Sequence, residues 1–430
     1  MTGILLLFGL LFFFATLTLP VGVALGMATL IVLITQTNIP VAMISQNVFA
    51  GLDSFALMAI PFFMLAGNLM ALGGIARRIV RLADAVFGKI AGGIGIVTTA
   101  ACMFFAALSG SGPATVSAIG AMMIPEMEKR GYDKGFATGL TAAAGTIGVI
   151  IPPSIPFVIY GVVASQSVGD LFIAGILPGI LIGVALMAVC FVISVKRGYK
   201  GRGASEREKS EGFLTVLRES FWAILAPVIV LGGIYGGIFT PTEASVVAII
   251  YSLLIGVFVY RELTWKIWLD SLKATADLTG LSCLALGFSM SFSAYLAIDQ
   301  MPVKISDVLK AHIGNGAVMM LIIIAILLIL GCFIDNISSC LILTPVFLPI
   351  LESFGVDPIH FGVVMTMALS IGFVTPPYGA NLFVASAVTG LKVETVAKSV
   401  APFLLALIVC MLLVAFIPNI AMGPVHLMRN

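Results

Sequence analysis

Four short stretches hold most of the polar groups that could do chemistry. Ser109, Ser111, Gly112 and Thr115 belong to SGSGPAT; Asp335, Asn336, Ser338 and Ser339 make up DNISS. GTIGVIIPPSIPF (145–157) and SIGFVTPPYGAN (370–381) each carry two consecutive prolines inside apolar sequence. Hydroxyls, amides and backbone carbonyls are hard oxygen ligands and suit a cation such as sodium, whereas the soft or imidazole sets that suit transition metals are missing. A proline pair removes two backbone donors and disfavours helix just before it. Carbonyls of the preceding helix are then free for a cation, and the N–H groups that open the following helix are free for an anion. A packing kink is the plainer reading of one such pair. Two pairs, each matched with a polar tip, favour binding.

Asp335 follows the apolar run Val318–Ile334. A carboxylate placed so deep in hydrocarbon is costly and marks a functional site by default. Capping the helix that follows is its other role, and the two are compatible. Glu243, in TPTEA, reads as a cap, as does Asp53 with Ser54; Asn68 and Asp277 are bundle hydrogen-bonding groups or site residues. The six cysteines stand singly in apolar runs, as small buried hydrophobes do. His312, His360 and His426 are too scattered to build a metal site.

The elements that position these groups must be membrane helices. The 430 residues are 60% hydrophobic and 10% charged, where a soluble domain carries about 25% charged residues. The apolar stretches have the length a helix needs to cross ~30 Å of hydrocarbon, and strand-like alternation is absent, which argues against a barrel. Segments are expected near 2–19, 21–36, 54–72, 135–166, 170–195, 221–238, 243–260, 277–298, 360–388 and 400–420. Two further stretches, about 92–126 and 315–351, are broken in the middle by SGSGP and DNISS and read as re-entrant hairpins. Bare backbone at such a tip is tolerated only where protein or water surrounds it. Amphipathic arms are expected at Ala76–Lys89, Lys304–Ile313 and Leu263–Lys273. The basic joints around Arg77–Lys89, Lys129–Lys134 and Lys196–Arg218 belong on the cytoplasmic side, which places the N-terminus outside. These basic residues occupy short loops and give no surface for nucleic acid.

The chain also resembles itself. A shift of 224 residues pairs Pro125 with Pro349, Glu128 with Glu352, Gly131 with Gly355 and Asp133 with Asp357. It likewise pairs Gly148 with Gly372, Pro152–Pro153 with Pro376–Pro377, and the tip Ser111–Gly112 with Asp335–Asn336. The expected organisation is a first repeat over 1–195, a cytoplasmic loop over 196–220 and a second repeat over 221–430. With five crossings in each half, the second repeat is inverted. Inverted repeats with discontinuous helices at matched places are the mark of secondary transporters, whose site lies at the repeat interface near the midplane.

SGSGPATVSAIG, GTIGVIIPPSIPFVIYG, GIFTPTEA and GFVTPPYGANLFVAS, in that order, resemble the large membrane subunit of tripartite ATP-independent periplasmic (TRAP) transporters, the DctM/SiaM type. The resemblance spans essentially the whole chain. It implies an all-α polytopic fold with two re-entrant hairpins and two broken helices, working as a sodium-coupled elevator. It also implies two partners, a small four-helix membrane subunit and a periplasmic substrate-binding protein, with an organic acid of the C4-dicarboxylate or sialic acid type as substrate. Carried onto this sequence, one sodium is expected between Ser109–Gly112 and the carbonyls around Gly145, Thr146 and Gly148. A second is expected between Asp335–Asn336 and Gly372–Thr375. Substrate is expected near Pro153, Ser154, Tyr378 and Asn381, with no lysine or arginine at these positions to clamp an anion. A stand-alone sodium/anion symporter of similar fold is the alternative, and proton coupling through Asp335 stays open. An enzyme is disfavoured, since no HExxH, GxGD-type or serine–histidine arrangement is present. A channel would need a continuous polar lining.

Overall fold

The computed structural model describes residues 2–17, 19–199, 212–300, 304, 314–332, 334–376 and 379–429. Among them no strand occurs and the chain is all helical. Among the described residues six helices are long and apolar enough to cross a membrane. Large apolar side chains such as Phe191, Phe221, Leu281 and Leu405 face outward, as lipid-facing surfaces require.

The chain opens with α1 (Thr2–Thr16) and α2 (Val21–Gln36), which pack against each other. At 15 and 16 residues they are shorter than the ~20 of a full span. A short helix α3 (Ala42–Leu52), absent from the sequence reading, buries none of its residues. Neither Asp53 nor Ser54 caps the turn that follows with its side chain, contrary to expectation. α4 (Ala59–Leu72) follows, and α5 (Ile75–Phe87) is the expected amphipathic arm. Ile75, Ile79 and Leu82 are buried on one face of α5, with Arg77, Arg78 and Arg81 on the other.

Both hairpins and both broken helices form where the sequence placed them. α6 (Gly93–Ser109) and α7 (Gly112–Lys129) make the first hairpin. α8 (Lys134–Gly145), a tight turn over Thr146–Val149 and α9 (Ile155–Val163) make the first broken helix. α10 (Val168–Arg197) closes this half. After α11 (Phe213–Tyr235), α12 (Pro241–Leu254) and α13 (Trp265–Ile298), the pattern returns. α14 (Gly316–Gly331) and α15 (Asn336–Glu352) are the second hairpin, and α16 (Pro358–Gly372) with α17 (Ala380–Thr389) the second broken helix. α18 (Val393–Phe416) and α19 (Asn419–Arg429) end the chain.

Caps explain the boundaries. Ser111, Asp133, Ser154, Asp335 and Asp357 each sit at an N-cap and accept a hydrogen bond from the first turn. Asp133 and Asp357 are repeat partners, as are Ser111 and Asp335. Glu243 completes a capping box with Thr240, as read from TPTEA. Two expectations change. Leu263–Lys273 is no separate arm: from Trp265 onward it opens the 34-residue α13, because nothing between Lys273 and Asp277 stops a helix. The arm expected at Lys304–Ile313 lies outside the described residues except for Lys304.

The two halves interlock reciprocally. α7 packs on α17 and its repeat partner α15 packs on α9; α8 packs on α18 and its partner α16 on α10. α8 also touches α17, as α16 touches α9. Each half therefore buries its hairpin and broken helix against the other half, which is what an approximate two-fold axis between inverted repeats produces.

Candidate functional site

Gly110, at φ 61, turns the chain between α6 and α7 in a conformation that suits glycine. Beyond it Ser111 accepts from the Ala114 amide at 3.4 Å, and the Thr115 hydroxyl donates to the Ser111 carbonyl at 2.8 Å. Ser109 Oγ lies 3.1 Å from Thr115 Oγ1. The first break meets this tip directly. The Ile155 amide donates to the Gly110 carbonyl at 3.4 Å. A Cβ on Gly148 would stand 2.6 Å from both the Ser111 carbonyl oxygen and Thr115 Oγ1, so only glycine permits the approach. Thr146 and Ser154 serve the break itself. Thr146 Oγ1 donates to the Ala143 carbonyl at 2.7 Å; Ser154 Oγ donates to Val149 at 2.6 Å and accepts from the Phe157 amide at 3.3 Å. Pro153 is buried beside Gly110, joined to Pro152 by a cis peptide bond.

Asn381, from the second broken helix, reaches this first cluster. Its Nδ2 donates to the Ala142 carbonyl at 3.1 Å, and its backbone amide donates to Phe373 at 3.0 Å. Cβ atoms built on Gly112 and Gly145 would lie 3.1 Å from its Oδ1 and 3.0 Å from its Nδ2. Asn381 is fully buried, and Oδ1 has no hydrogen-bond partner. The sequence put Asn381 with substrate; the fold puts it among the groups expected to hold the first cation.

At the second tip Asp335 caps α15, with Oδ2 accepting from the Ser338 amide at 3.0 Å. Asn336 is buried with both amide atoms unpaired, and Ser339 Oγ is buried and unpaired as well. Gly372 abuts Gly331 at the end of α14, where a Cβ would collide with the Gly331 carbonyl. Gly148 and its repeat partner Gly372 thus do the same work, each letting a hairpin close onto a break. Thr375 donates to the Ile371 carbonyl at 2.8 Å. Tyr378, expected beside the substrate, lies outside the described residues, as does Pro377.

A buried amide or hydroxyl without a partner costs about 1–3 kcal/mol. Such groups stand at both tips, Asn381 Oδ1 at the first and Asn336 and Ser339 at the second, and others lie away from them, on Tyr235, Ser271 and Ser293. Gly331 and the Ala142 carbonyl were missed from sequence, since neither residue type announces itself. Asn68 resolves as a bundle group, with Nδ2 donating to Thr275 Oγ1 at 3.3 Å. All six cysteines are free, and no cluster of metal-binding side chains occurs among the described residues.

Two hairpins whose tips each close onto the broken helix of their own half, in inverted halves that interlock, define a membrane transporter of the inverted-repeat class. Residues 8–420 match the model of the "Tripartite ATP-independent periplasmic transporter, DctM component" family, and the chain belongs to that family. It is 39% identical to the C4-dicarboxylate TRAP transporter large permease protein DctM of Pseudomonas aeruginosa, over 93% of each chain. It is 44% identical to the isethionate TRAP transporter permease protein DctMQ of Oleidesulfovibrio alaskensis, covering 97% of this chain and 65% of that longer one. The sialic acid TRAP transporter permease protein SiaT of Haemophilus influenzae is 40% identical over 93% of this chain and 65% of its own length. The crystal structure of the Alcanivorax borkumensis YdaH transporter shares the fold, with TM-score 0.64 over 88% of each chain at 14% identity.

Proposed function

We propose that this chain is the permease subunit of a sodium-coupled, binding-protein-dependent importer of an organic acid, resident in the bacterial inner membrane with its N-terminus outside. One observation carries the reading: buried, unpaired amide oxygens stand at both hairpin tips, Asn381 Oδ1 at the first and Asn336 Oδ1 at the second. An oxygen of this kind recovers its desolvation cost when a cation binds. At the first tip the Gly112 and Gly145 carbonyls are at hand, and at the second the Asp335 carboxylate.

The substrate anion would sit between the tips. α17 begins at Gly379 with no side-chain cap; its Asn381 and Leu382 amides donate to the Phe373 and Gly379 carbonyls, which leaves the Ala380 N–H and the positive end of the helix to a carboxylate or sulfonate. Sodium ions bound alongside would supply the positive charge that the absence of lysine and arginine leaves unfilled. Isethionate, C4-dicarboxylates and sialic acid, named for three relatives, are all organic anions. An elevator motion accords with the interlock: hairpins and broken helices pack on one another as one body that would slide against α4 and α13. A small membrane subunit and a soluble periplasmic binding protein are the two other parts; the longer DctMQ relative accords with fusion of the small subunit.

Uptake into proteoliposomes tests this. Vesicles holding the chain with its small subunit receive radiolabelled isethionate, succinate or sialic acid under an inward sodium gradient, with and without the binding protein. Uptake of one of these that needs both sodium and the binding protein is expected. Sodium-driven uptake without the binding protein would show a stand-alone symporter, and uptake driven only by a proton gradient would overturn the cation sites.

A further inference from the structure

An arginine-lined cleft of about 620 Å³ opens between α5, α11 and the turn after α12, far from the hairpin tips in the chain and served by none of their residues. Its walls include Arg78, Arg81, Arg218, Glu219, Trp222 and Tyr260. Three of its charges are already organised. Arg78 pairs with Glu262 and lies over the Tyr260 ring at 3.9 Å, and Arg81 pairs with Glu219 at 2.8 Å. Arg218 is exposed, and no hydrogen bond or ion pair engages it among the described residues. Counting Arg77, which also pairs with Glu262, four arginines meet two glutamates here among the described residues.

A second cleft of about 510 Å³ adjoins the first and shares Arg218 and Trp222. Its remaining walls are Leu214, Leu217 and Phe221, all exposed and all on α11. A pocket for an anion therefore runs directly into an apolar groove along a membrane helix. A tryptophan stands at the junction, the side chain favoured at the level of lipid headgroups. The positive-inside pattern puts this end of α11 at the cytoplasmic face, where anionic lipids gather.

We propose that this paired cleft binds an anionic phospholipid of the inner leaflet, with the phosphate held by Arg218 and Arg81 and one acyl chain along Leu214, Leu217 and Phe221. Bound there, the lipid bridges the α5 arm and α11, and so fixes the arm against the membrane plane. The proposal is independent of substrate and coupling ion.

The test uses the full chain with Trp265→Phe and Trp268→Phe, which leaves Trp222 as the only tryptophan. It is reconstituted in vesicles of phosphatidylcholine containing either phosphatidylglycerol or more phosphatidylcholine with brominated acyl chains, at equal mole fraction. Bromine quenches tryptophan on contact, so quenching reads occupancy at Trp222. Phosphatidylglycerol should quench at a mole fraction about five-fold lower than phosphatidylcholine, the preference expected from one arginine near the surface. Arg218→Ala should abolish that preference; because Arg218 is exposed and no hydrogen bond or ion pair ties it to another described residue, the thermal midpoint in detergent should not move. Inorganic phosphate at millimolar concentration should not compete. Equal quenching by both lipids overturns the proposal, and competition by phosphate makes the cleft a free-anion site. Loss of quenching when the small subunit is added overturns it in favour of a protein-covered face.

Discussion

At the residue scale, Asn336 and Asn381 separate function from stability. Asn336 makes no hydrogen bond through its side chain, so Asn336→Leu removes a buried polar group without orphaning a partner. Such a change is near neutral or stabilising. We predict a thermal midpoint at or above wild type, with the sodium concentration for half-maximal uptake raised about ten-fold, equivalent to about 1.4 kcal/mol. A fall in stability with unchanged sodium dependence would make Asn336 a packing residue. Asp335 needs the opposite control. It caps α15, and Asn caps as well as Asp does. Asp335→Asn should therefore hold stability within about 0.5 kcal/mol while weakening sodium dependence, whereas Asp335→Ala should lose about 1 kcal/mol through the cap alone. Wild-type uptake in Asp335→Asn would show that capping is its whole role. Asp335 and Asn336 were legible in sequence because charge and amide stand out after an apolar run. The crossing of Asn381 to the other half's tip was not, since sequence spacing carries no information about contacts 239 residues apart.

At the element scale, the breaks are built from paired glycines as much as from prolines. Gly148→Ala places a methyl 2.6 Å from two oxygens of the first tip, and Gly372→Ala meets the Gly331 backbone. The Ser111 and Gly331 atoms that these methyls meet belong to the backbone and cannot swing aside. Each substitution should cost roughly 1–3 kcal/mol by overpacking and slow uptake; unfolding curves and transport rates check it. Unchanged values would mean that hairpin and break are not in contact in the working state. Hairpins and broken helices were legible because apolar length, proline pairs and a polar tip are all sequence signals, and the caps fix their ends within a few residues. The short helices α3 and α19 were not. α3 buries nothing, and α19 holds only Ala421, Met422 and Val425 in the interior, with Arg429 paired to Asp170 of α10. Neither leaves a strong apolar period. The single long α13 was misread as two pieces for a related reason: a change from amphipathic to apolar composition marks where a helix enters the membrane, not where it ends.

At the scale of the whole molecule, reciprocal packing makes the halves mutually dependent. α9 and α17 are helices of 9 and 10 residues, too short to persist alone, and each is covered by a hairpin of the other half. A chain cut between Tyr199 and Gly212 should therefore be inactive when either fragment is made alone. Co-expression of the two should restore uptake, and co-purification of the fragments checks the assembly. Recovery of a stable first fragment by itself would contradict the interlock. The inverted repeat was legible from the glycines, acids and prolines that recur at one offset. Its reciprocal contacts follow from the two-fold relation and could only be seen in the fold.

The central claim is that the unpaired groups at the two tips bind sodium. The most direct measurement is the thermal midpoint of the purified permease in sodium chloride against choline chloride at equal ionic strength, for wild type, Asn336→Leu and Asn381→Leu. A ligand present at ten times its dissociation constant stabilises the fold that binds it by about 1.4 kcal/mol. The account predicts a sodium-specific rise in wild type that shrinks in each single variant and vanishes in the double variant. Identical midpoints in sodium and choline for the wild type, or a sodium effect that survives the double variant, would contradict it.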